Sequence, residues 1–487
     1  MGAIAMIVDK SGNNTVPTVI AMLKELAHRG TDAYGVSFRT GVKIAESLQE
    51  LDDANLKSNI AIGYNLSRSS DGDMPQPILA KDCALVFDGR IFPSSEKPGV
   101  EELASRLKDD LIENAKRVLN EFDGAYAFAI SHSDRIIAAR DMHGLVPMYY
   151  GENRRTCGVA SERKALWALG MRKVKSFPPG NVAAINKRGF AFERVATIER
   201  PQTKSIDMEV AINHLRELLL ESTIDRVGDS EKVAVAFSGG LDSSVIAALA
   251  KVSGVDVRLI SVGLENQSEL QHAERASRAL ELPIQVQTHD LGSVKEVVSK
   301  ALWLVEDPNI MKVGIAIPFF WTAEIAHRIG CRVLLAGQGS DELFGGYQRY
   351  LRELQRKGPE ALREILFQDV VSSYKTNFQR DYPICAYHKV ELRLPFIDRE
   401  VMSFALGLPL ELKIESTDDL LRKRILRRVA ANLKIPDFIA DRPKKAIQYA
   451  TGTDKALRKI ARSEGLTVRD YLNKLSSKMY PELEASP

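Results

Sequence analysis

The sequence lacks the features of a secreted, membrane or zinc-finger protein. Its cysteines, Cys83, Cys157, Cys331 and Cys385, stand singly without a CxxC pair, which argues against a disulfide scaffold or a zinc knuckle. No apolar run approaches the roughly 18 residues that a membrane span requires. Residues 1–10 lack the basic start, apolar core and cleavage site of a signal peptide. We therefore expect a cytoplasmic protein with no membrane partner.

An excess of charge of one sign is also missing. The 67 lysines and arginines are nearly balanced by 64 aspartates and glutamates, which gives a net charge of +3. Such a balance offers no basic stripe for nucleic acid, so we expect no nucleic-acid partner. The 487 residues suit two domains, or three, each large enough to bury its own core.

The first part of the chain, up to about Glu199, predicts an α+β domain built on antiparallel sheets. Short β-branched segments alternate there with turn residues, and helical periodicity is rare. Strands are predicted at Ala3–Val8, Cys83–Phe87, Ala125–Ile130 and Arg135–Ala139, and helices at Val16–Leu26 and Glu101–Leu119.

Beyond Pro201 strands alternate with helices, which predicts an α/β domain with a parallel sheet. Strands are predicted at Val233–Phe237, Val257–Val262 and Val333–Ala336, and helices at Ile212–Leu220, Val245–Val252 and Ala273–Leu280. From Pro359 onward the pattern is mostly helical. The polar connector 196–206 separates the two parts, and we set the domains at 1–199 and 200–487.

The strongest local signal is the run from Ser238 to Ser244, which reads SGGLDSS. It lies between an apolar strand and an apolar helix, the setting in which backbone N–H groups cradle phosphate. Gly239 and Gly240 allow a sharp turn, and Asp242 beside polyphosphate implies a bridging Mg²⁺. The Walker pattern is absent. The alternative is a Gly-Gly turn whose Ser and Asp side chains cap a helix.

A second glycine loop, residues 335–347 with the letters LAGQGSDELFGGY, follows the predicted strand at Val333. Both loops are therefore expected at the same edge of the sheet. The adjacent carboxylates of Asp341 and Glu342 suit a metal or an amine substrate. The alternative is a polar helix start with Ser340 as N-cap, which leaves the surrounding glycines unexplained.

SGGLDSS after a strand resembles the loop of the ATP pyrophosphatases, which split ATP into AMP and pyrophosphate. The second loop, the run Glu391 to Asp398 (ELRLPFID) and the run Arg442 to Lys444 (RPK) resemble, in the same order, further motifs of asparagine synthetases. These ordered motifs cover most of the second half of the chain. On them the chain resembles the asparagine synthetase family.

That resemblance implies ATP and Mg²⁺ as cofactors and a role for individual residues. An acid substrate would attack ATP to form an acyl-adenylate, which ammonia would convert into an amide and AMP. The nucleotide would contact Phe237, Val262, Ala336 and Gly337, and its phosphates would contact Ser238, Gly239, Gly240, Leu241, Asp242, Ser243 and Ser244. Asp242 and Asp341 would hold Mg²⁺, and Lys444 would neutralise the departing pyrophosphate.

Gln338 departs from the family pattern, because many asparagine synthetases have at this position a glutamate that is thought to help ammonia attack. A glutamine amide cannot act as a base. Either Glu342 or another carboxylate takes that role, or the acid acceptor is not aspartate.

The first half resembles, more loosely, the class II glutaminase domain of the same family, an N-terminal-nucleophile-type sandwich. Similar segments begin at Leu26 (LAHRGTD) and Leu85 (LVFDGRI). Working members have a nucleophilic cysteine where Gly2 stands, and glycine has no thiol. Asp88, before Gly89, replaces an asparagine that stabilises the oxyanion, and an ionised carboxylate would repel that oxyanion. We therefore expect this domain to be an inactive, structural module.

The leading hypothesis is an ammonia-dependent asparagine synthetase that uses aspartate, with a separate ammonia source as a possible partner. Two other hypotheses are a different acid-adenylating ligase of the β-lactam-synthetase type and a catalytically idle regulatory homologue. A tRNA-modifying ATP pyrophosphatase is disfavoured by the balanced charge. A homodimer is expected only by analogy with the family.

Overall fold

The computed structural model describes residues 2–69, 72–93, 97–107, 110–203 and 205–481. The chain forms two compact units, one of residues 1–197 with 474–487 and one of residues 198–473. The domain limits inferred from the sequence, 1–199 and 200–487, stay a prediction for the functional domains. No helix in these described ranges is long and apolar enough to cross a membrane.

The first unit is built on antiparallel sheets. Its strands are β1 Gly2–Asp9, β2 Ala33–Phe38, β3 Gly41–Ala45, β4 Ile60–Leu66, β5 Ile78–Ala80, β6 Cys83–Phe92, β7 Asp123–His132, β8 Arg135–Arg140, β9 Tyr149–Glu152, β10 Thr156–Ala160, β11 Lys175–Ser176, β12 Asn181–Asn186 and β13 Gly189–Arg194. Its helices are α1 Val16–Glu25, α2 Leu48–Asp53, α3 Gly99–Ser105, α4 Leu111–Glu121 and α5 Arg163–Trp167, with a 3₁₀ turn at Ala27–Arg29.

One sheet runs in the order β11-β9-β10-β1-β4-β2-β3 and the other in the order β13-β12-β8-β7-β6-β5. Helix α1 packs its buried face against the first sheet, and α3 and α4 pack against the second. The α+β class with antiparallel sheets is therefore confirmed.

The single helix expected at Glu101–Leu119 is wrong, because two helices, α3 and α4, occupy this stretch. Asp110 is the N-cap of α4, and its carboxylate accepts hydrogen bonds from the N–H groups of Ile112 and Glu113. A capping carboxylate satisfies backbone donors that a continuous helix would otherwise use, so it starts a new helix. Residues 108 and 109 of the expected helix lie outside the described residues.

The second unit alternates strands with helices and then becomes mostly helical. Its strands are β14 Lys232–Ala236, β15 Asp256–Leu264, β16 Ile284–His289, β17 Val333–Leu335 and β18 Glu391–Arg393. Its helices are α6 Met208–Val227, α7 Leu241–Val252, α8 Ser268–Leu280, α9 Leu291–Val305, α10 Ile310–Arg328, α11 Ser340–Phe344, α12 Arg349–Ser373, α13 Gln379–Tyr387, α14 Arg399–Gly407, α15 Arg424–Asn432, α16 Asp437–Ala440, α17 Ile447–Ala450, α18 Thr453–Ser463 and α19 Val468–Met479, of which α19 continues into the first unit. A π-helical turn spans Tyr374–Phe378 and a 3₁₀ turn Leu410–Leu412.

The sheet of this unit has the order β16-β15-β14-β17-β18, and each neighbouring pair is parallel. The α/β class with a parallel sheet and a helical C-terminal part is therefore confirmed. Because the strands are parallel, β14, β15 and β17 all end at one edge, where ligands of such sheets bind. The loops that follow β14 and β17 are the two glycine loops of the sequence.

Candidate active site

The first glycine loop is held by its own hydroxyl groups. The Ser238 hydroxyl accepts a hydrogen bond from the Gly240 N–H at 3.2 Å, and the Ser243 hydroxyl donates to the Gly240 carbonyl at 3.2 Å. Gly240 is the N-cap of α7, and no side chain caps this helix. The alternative interpretation, in which Ser and Asp side chains cap the helix, is therefore wrong. The carboxylate of Asp242 does not cap α7.

Two lysines join the carboxylates of Asp242 and Asp341. The Lys423 ammonium lies 2.7 Å from both carboxylate oxygens of Asp242 and 2.6 Å from Asp341 Oδ1. The Lys444 ammonium lies 2.6 Å from Asp341 Oδ2 and 3.8 Å from Asp242 Oδ2. The two glycine loops are thus brought together through charge, as expected from their position on one sheet edge.

The ionisation of this cluster follows from the close contacts. Burial by itself raises the pKa of Asp341, but the ammonium groups of Lys423 and Lys444 outweigh it and hold that pKa below its ordinary value. Burial lowers the pKa of Lys444, but the Asp341 and Asp242 carboxylates raise it above its ordinary value. Both groups are therefore charged at neutral pH.

Helix α11 starts at the second glycine loop, and its N-cap is a glycine instead of the expected serine. The helix begins at Ser340 after Gly339, which has a φ of +91° and is the N-cap. The Ser340 hydroxyl instead donates a hydrogen bond of 3.0 Å to Asp242 Oδ1. The alternative interpretation of Ser340 as an N-cap is therefore wrong, and its side chain belongs to the charged cluster.

Gly346 has no room for a side chain. A Cβ built there would lie closer than 3.0 Å to both Asp341 Oδ1 and Lys423 Cε. The backbone N–H of Gly346 also donates to the Asp341 carbonyl at 2.8 Å. A glycine is needed at position 346 because a side chain there would displace Asp341 and Lys423 from their ion pair.

The cluster opens into a cleft of about 590 Å³, a volume that includes its mouth. Among the described residues that line it are five cationic side chains and two carboxylates: Lys423, Arg427, Arg442, Lys444, Lys445, Asp242 and Glu269. A cleft with this excess of positive charge attracts a polyanion. The arrangement suits the phosphates of ATP.

Glu269, near the start of α8, holds the loop that carries Lys444. Its carboxylate pairs with Arg442 and, at 3.0 Å, with Lys445. These two cations flank residues 443 and 444, so Lys444 is fixed from both sides.

The sequence-derived ATP residues fall into three groups in the structure. Ser238, Gly240, Leu241, Asp242 and Lys444 line the cleft. Gly239, Ser243 and Ser244 support the loop, and Ser243 and Ser244 are buried. Phe237, Val262, Ala336 and Gly337 lie at or near the carboxyl ends of β14, β15 and β17; the first three are buried, and none of the four is among the described residues that line the cleft.

The polar side chains on and near the second glycine loop have different partners. Gln338 donates a 3.1 Å hydrogen bond to Asp381, which Arg380 pairs with at 2.6 Å. Glu342 is buried and accepts hydrogen bonds from the Tyr347 hydroxyl at 2.8 Å and from the Asn377 amide at 2.9 Å. Burial, and then the nearby Asp341 carboxylate, raise the pKa of Glu342 above its ordinary value.

Sequence reasoning missed Lys423, Arg427 and Glu269. Lys423 and Arg422 both adopt positive φ, +50° and +54°, a conformation that side chains other than glycine adopt at a cost. The only sequence signal was a basic run, RKRILRR, which reads as an exposed amphipathic helix. The contacts of Lys423 with Asp242 and of Glu269 with Arg442 join residues 181 and 173 positions apart, which no local pattern reveals.

The expected glutaminase site in the first unit is closed by buried charges. The Asp88 carboxylate accepts the Gly2 N–H at 2.8 Å and pairs with Arg29 at 3.2 Å. Asp88 and Arg29 are buried, and Arg29 also lies near Glu162, which pairs with His28 at 2.9 Å and with Lys164.

Within the described residues no group of three or more His, Cys, Asp or Glu side chains could hold a metal.

Gly2 and Gly89 are both enclosed by backbone. A Cβ on Gly2 would lie closer than 3.0 Å to the Asn65 carbonyl and to the Tyr64 ring, and one on Gly89, whose φ is +122°, would meet the Ala125 carbonyl. The site thus lacks a thiol and also lacks the space for one.

Comparison with known families finds a match for each part of the chain. The asparagine synthase family model matches residues 214–361 and 351–474, and the glutamine amidotransferase domain model matches residues 66–168. A Methanocaldococcus jannaschii protein that carries the name glutamine-hydrolyzing asparagine synthetase 1 is 32% identical and covers 99% of this chain and 100% of its own length. The chain belongs to the asparagine synthetase family. ATP-dependent amide formation is the activity of that family.

More distant relatives extend the comparison. Glutamine-hydrolyzing asparagine synthetase B of Escherichia coli is 25% identical over 70% of this chain and 63% of its own length. Among solved structures, a glutamine phosphoribosylpyrophosphate amidotransferase of B. subtilis aligns with 58% of this chain and 65% of its own, at 19% identity and a TM-score of 0.36.

The asparagine synthetase motif at Glu391–Asp398 is mainly structural here. Arg393 is paired with Glu391 at 2.8 Å and donates to the Arg226 carbonyl at 2.7 Å. Asp398 caps α14 and pairs with Arg226 at 3.0 Å. The motif therefore fixes β18 at the side of the sheet rather than lining the cleft.

Gly346→Ala is expected to lower ATP-dependent pyrophosphate release about 100-fold, because displacing Lys423 and Asp341 would misplace groups of the candidate site. Steady-state release of pyrophosphate measures it. Gly407→Ala is the matched control, since a Cβ there makes only an ordinary 3.5 Å contact with Pro201. Equal activity of both variants would contradict the role of the ion pair.

Gly2→Cys, alone or combined with Asp88→Asn, is expected not to restore glutaminase activity. The new side chain would collide with the Asn65 carbonyl, and in the double variant Arg29 would lose its ion pair with Asp88. Release of glutamate from glutamine is the measurement, with wild type as the reference. Burst formation of glutamate by either variant would show that the site needs only its thiol.

Proposed function

We propose that the protein makes asparagine from aspartate, ATP and ammonia, with AMP and pyrophosphate as the other products. The observation that carries this proposal is the cationic cleft at the sheet edge, in which Lys423 and Lys444 hold Asp242 and Asp341 together. Family membership supports ATP and an amide product, and the acid and the nitrogen source are the parts proposed.

The chemistry has two steps. A carboxylate oxygen of aspartate attacks the α-phosphorus of ATP, and the bond to pyrophosphate breaks. Ammonia then attacks the acyl carbon of the adenylate, the bond to AMP breaks, and the nitrogen gives up a proton. Lys444 and Lys423 line the cleft that we propose for the phosphates, where they would stabilise the negative charge that develops on the departing pyrophosphate in the first step.

Asp242 and Asp341 fit a magnesium ion that is bound together with the nucleotide. Mg²⁺ is commonly held by one or two carboxylates plus the phosphates of the substrate, and these two carboxylates share one ammonium, so they lie close together. When bound, the ion would neutralise phosphate charge. Lys423 and Lys444 would then exchange a carboxylate partner for a phosphate.

Glu342 is proposed to accept the proton from ammonia during its attack. Its raised pKa brings a carboxylate closer to the working pH, which favours general-base catalysis. Tyr347 and Asn377 orient it. Asp381 is less suited, because the guanidinium of Arg380 engages both of its oxygens.

Glutamine is not proposed as a nitrogen source. Gly2 offers no nucleophile, and the Asp88 carboxylate is committed to Arg29 and to the Gly2 N–H. Ammonia would come from solution or from a separate glutaminase. If the first domain does not hydrolyse glutamine, its role would be structural.

The first experiment follows pyrophosphate, AMP and asparagine with Mg²⁺-ATP and aspartate, and compares ammonium with glutamine. We expect turnover with ammonium and none with glutamine, and Lys444→Met should lose about 100-fold or more of it. Lys455→Met, at an exposed position on α18, is the control. Turnover with glutamine would refute the inactive first domain, and adenylation of another acid in place of aspartate would refute the substrate.

A pH profile tests Glu342. A base works only when deprotonated, so the wild-type kcat at saturating ammonia should rise through the raised pKa of Glu342 and level off above it. Glu342→Gln should lose about 100-fold in kcat and lack this acidic limb, while adenylation measured by pyrophosphate exchange persists. An unchanged acidic limb in the variant would assign it to another group.

A further inference from the structure

One carbonyl of the first glycine loop is bound by a side chain from another part of the chain. The Nε2 atom of His272, on α8, lies 2.9 Å from the Gly239 carbonyl oxygen. A carbonyl oxygen only accepts hydrogen bonds, so Nε2 carries the proton and donates it. His272 is not among the described residues that line the cleft. Any effect of His272 on the cleft therefore passes through the loop.

The peptide group between Gly239 and Gly240 is held at both of its polar atoms. His272 binds its carbonyl oxygen, and the Ser238 hydroxyl accepts a hydrogen bond from its N–H at 3.2 Å. Glycine adopts positive and negative φ about equally well, and Gly239 has a φ of +68°. A peptide between two glycines therefore turns over easily unless something holds it. His272 supplies one of the two hydrogen bonds that oppose such a flip.

The imidazole of His272 is itself fixed by its surroundings. A Cβ built on Gly239 would lie 2.9 Å from His272 Cδ2 and 3.0 Å from the Cα atom of Ala273, so the loop lies directly on α8. The ring of Phe438, in α16, is nearly perpendicular to the imidazole, with the ring centres 6.0 Å apart. The Arg275 guanidinium lies 4.0 Å from the centre of that Phe438 ring. These contacts keep the Nε2–H directed at the loop.

Helix α8 contacts two parts of the cleft wall at once. Glu269 and His272 are three residues apart, so their side chains are neighbours on the helix surface. Glu269 pairs with Arg442 and Lys445, which flank Lys444, and His272 holds the glycine loop. One helix thus connects the phosphate loop with the basic segment.

The surroundings of His272 favour the neutral imidazole. Burial lowers its pKa, and the positive charges of Arg442 and Arg275 lower it further; together they outweigh the opposite effects of the Gly239 hydrogen bond and of Glu269. A neutral ring with its proton on Nε2 is a full hydrogen-bond donor to the carbonyl. The contact therefore needs no protonation and adds no charge beside the phosphate loop.

We propose that His272 is a positioning residue for ATP, because it holds the peptide between Gly239 and Gly240 and so keeps the loop in its phosphate-binding shape before ATP arrives. The inference rests on the ATP cleft proposed above. The first N–H groups of a helix have no partner within it, and none of the described side chains caps α7. A fixed loop presents these N–H groups to the phosphates without the cost of ordering the loop on binding.

His272→Ala is expected to raise the KM for ATP about tenfold, the effect of one lost hydrogen bond, and to leave kcat nearly unchanged. The variant loop would have the binding shape for a smaller fraction of the time, which weakens the apparent affinity, whereas bound ATP restores that shape. Pyrophosphate release with aspartate and ammonium measures both constants. An unchanged KM, or a loss of kcat alone, would overturn the proposal.

Further variants separate the hydrogen bond from ring packing. His272→Gln places an amide N–H near the former Nε2 position, so KM should return to within about twofold of the wild-type value. If His272→Ala does not fold, His272→Asn replaces it, because its shorter amide does not reach Gly239. A KM as high in His272→Gln as in the variant without the donor would refute the hydrogen bond.

His214→Ala is the matched control for the loss of a helical histidine. His214 is exposed on α6, and its ring is also nearly perpendicular to an aromatic ring, that of Phe404, with the centres 4.6 Å apart. Its removal should leave the KM for ATP unchanged. An equal rise of KM in His214→Ala and His272→Ala would refute a specific role of His272.

A binding experiment distinguishes this role from the proposed function. The affinity for Mg²⁺ with α,β-methylene-ATP, an analogue that cannot release pyrophosphate, is measured by calorimetry without acid or ammonia. We expect the wild type to bind and His272→Ala to bind about tenfold more weakly. Equal affinities would refute the positioning role and leave the ATP cleft standing. No binding by the wild type would refute the ATP cleft and, with it, the role of His272.

Discussion

The second unit depends on one electrostatic constraint, the attachment of Asp242 and Asp341 to the ammonium of Lys423. Each carboxylate is on a different glycine loop, and each loop follows a different parallel strand. Without a cation between them, the two carboxylates would repel each other at the sheet edge. Buried ion pairs of this kind contribute little net stability because desolvation offsets the attraction. Their value lies in the geometry that they impose.

That geometry explains other features of the cleft. Gly346 must be bare, because any Cβ would enter the space of the ion pair. Ser340 turns its hydroxyl to Asp242 instead of capping its own helix. Arg422 and Lys423 accept positive φ to deliver the ammonium to the cluster. In each case a residue gives up its locally preferred conformation or cap, and the ion pairs between Lys423, Asp242 and Asp341 compensate for that loss.

In the first unit, a buried ion pair fills a closed site instead of lining an open cleft. There Asp88 and Arg29 satisfy each other in a closed site, and the Gly2 N–H is bound to the same carboxylate. The glutamine amidotransferase domain model still matches this unit, while a side chain at Gly2 would collide with the Asn65 carbonyl. A fold can outlast a chemical site because core packing and site chemistry depend on different residues.

The pattern of strands and helices was largely predictable, because periodicity and turn residues are local properties. The predictions for β1, β14, β15 and β17 agree with the structure. The edge strand β16, with its half-exposed IQVQTH, and the three-residue β18 were not predicted. Short or weakly buried strands depend on their neighbours, and the break between α3 and α4 depended on a cap at Asp110 that periodicity does not reveal.

The sequence by itself determined the family motifs, both glycine loops, the missing thiol at Gly2 and the balance of charge. Tertiary structure decided which side chains meet. It joined Lys423 to Asp242 across 181 positions and paired Glu269 with Arg442 and Lys445, which flank Lys444. The physical reason is that the type of a residue is a local fact, whereas its charge state and its partner depend on burial and on contacts between distant parts of the chain.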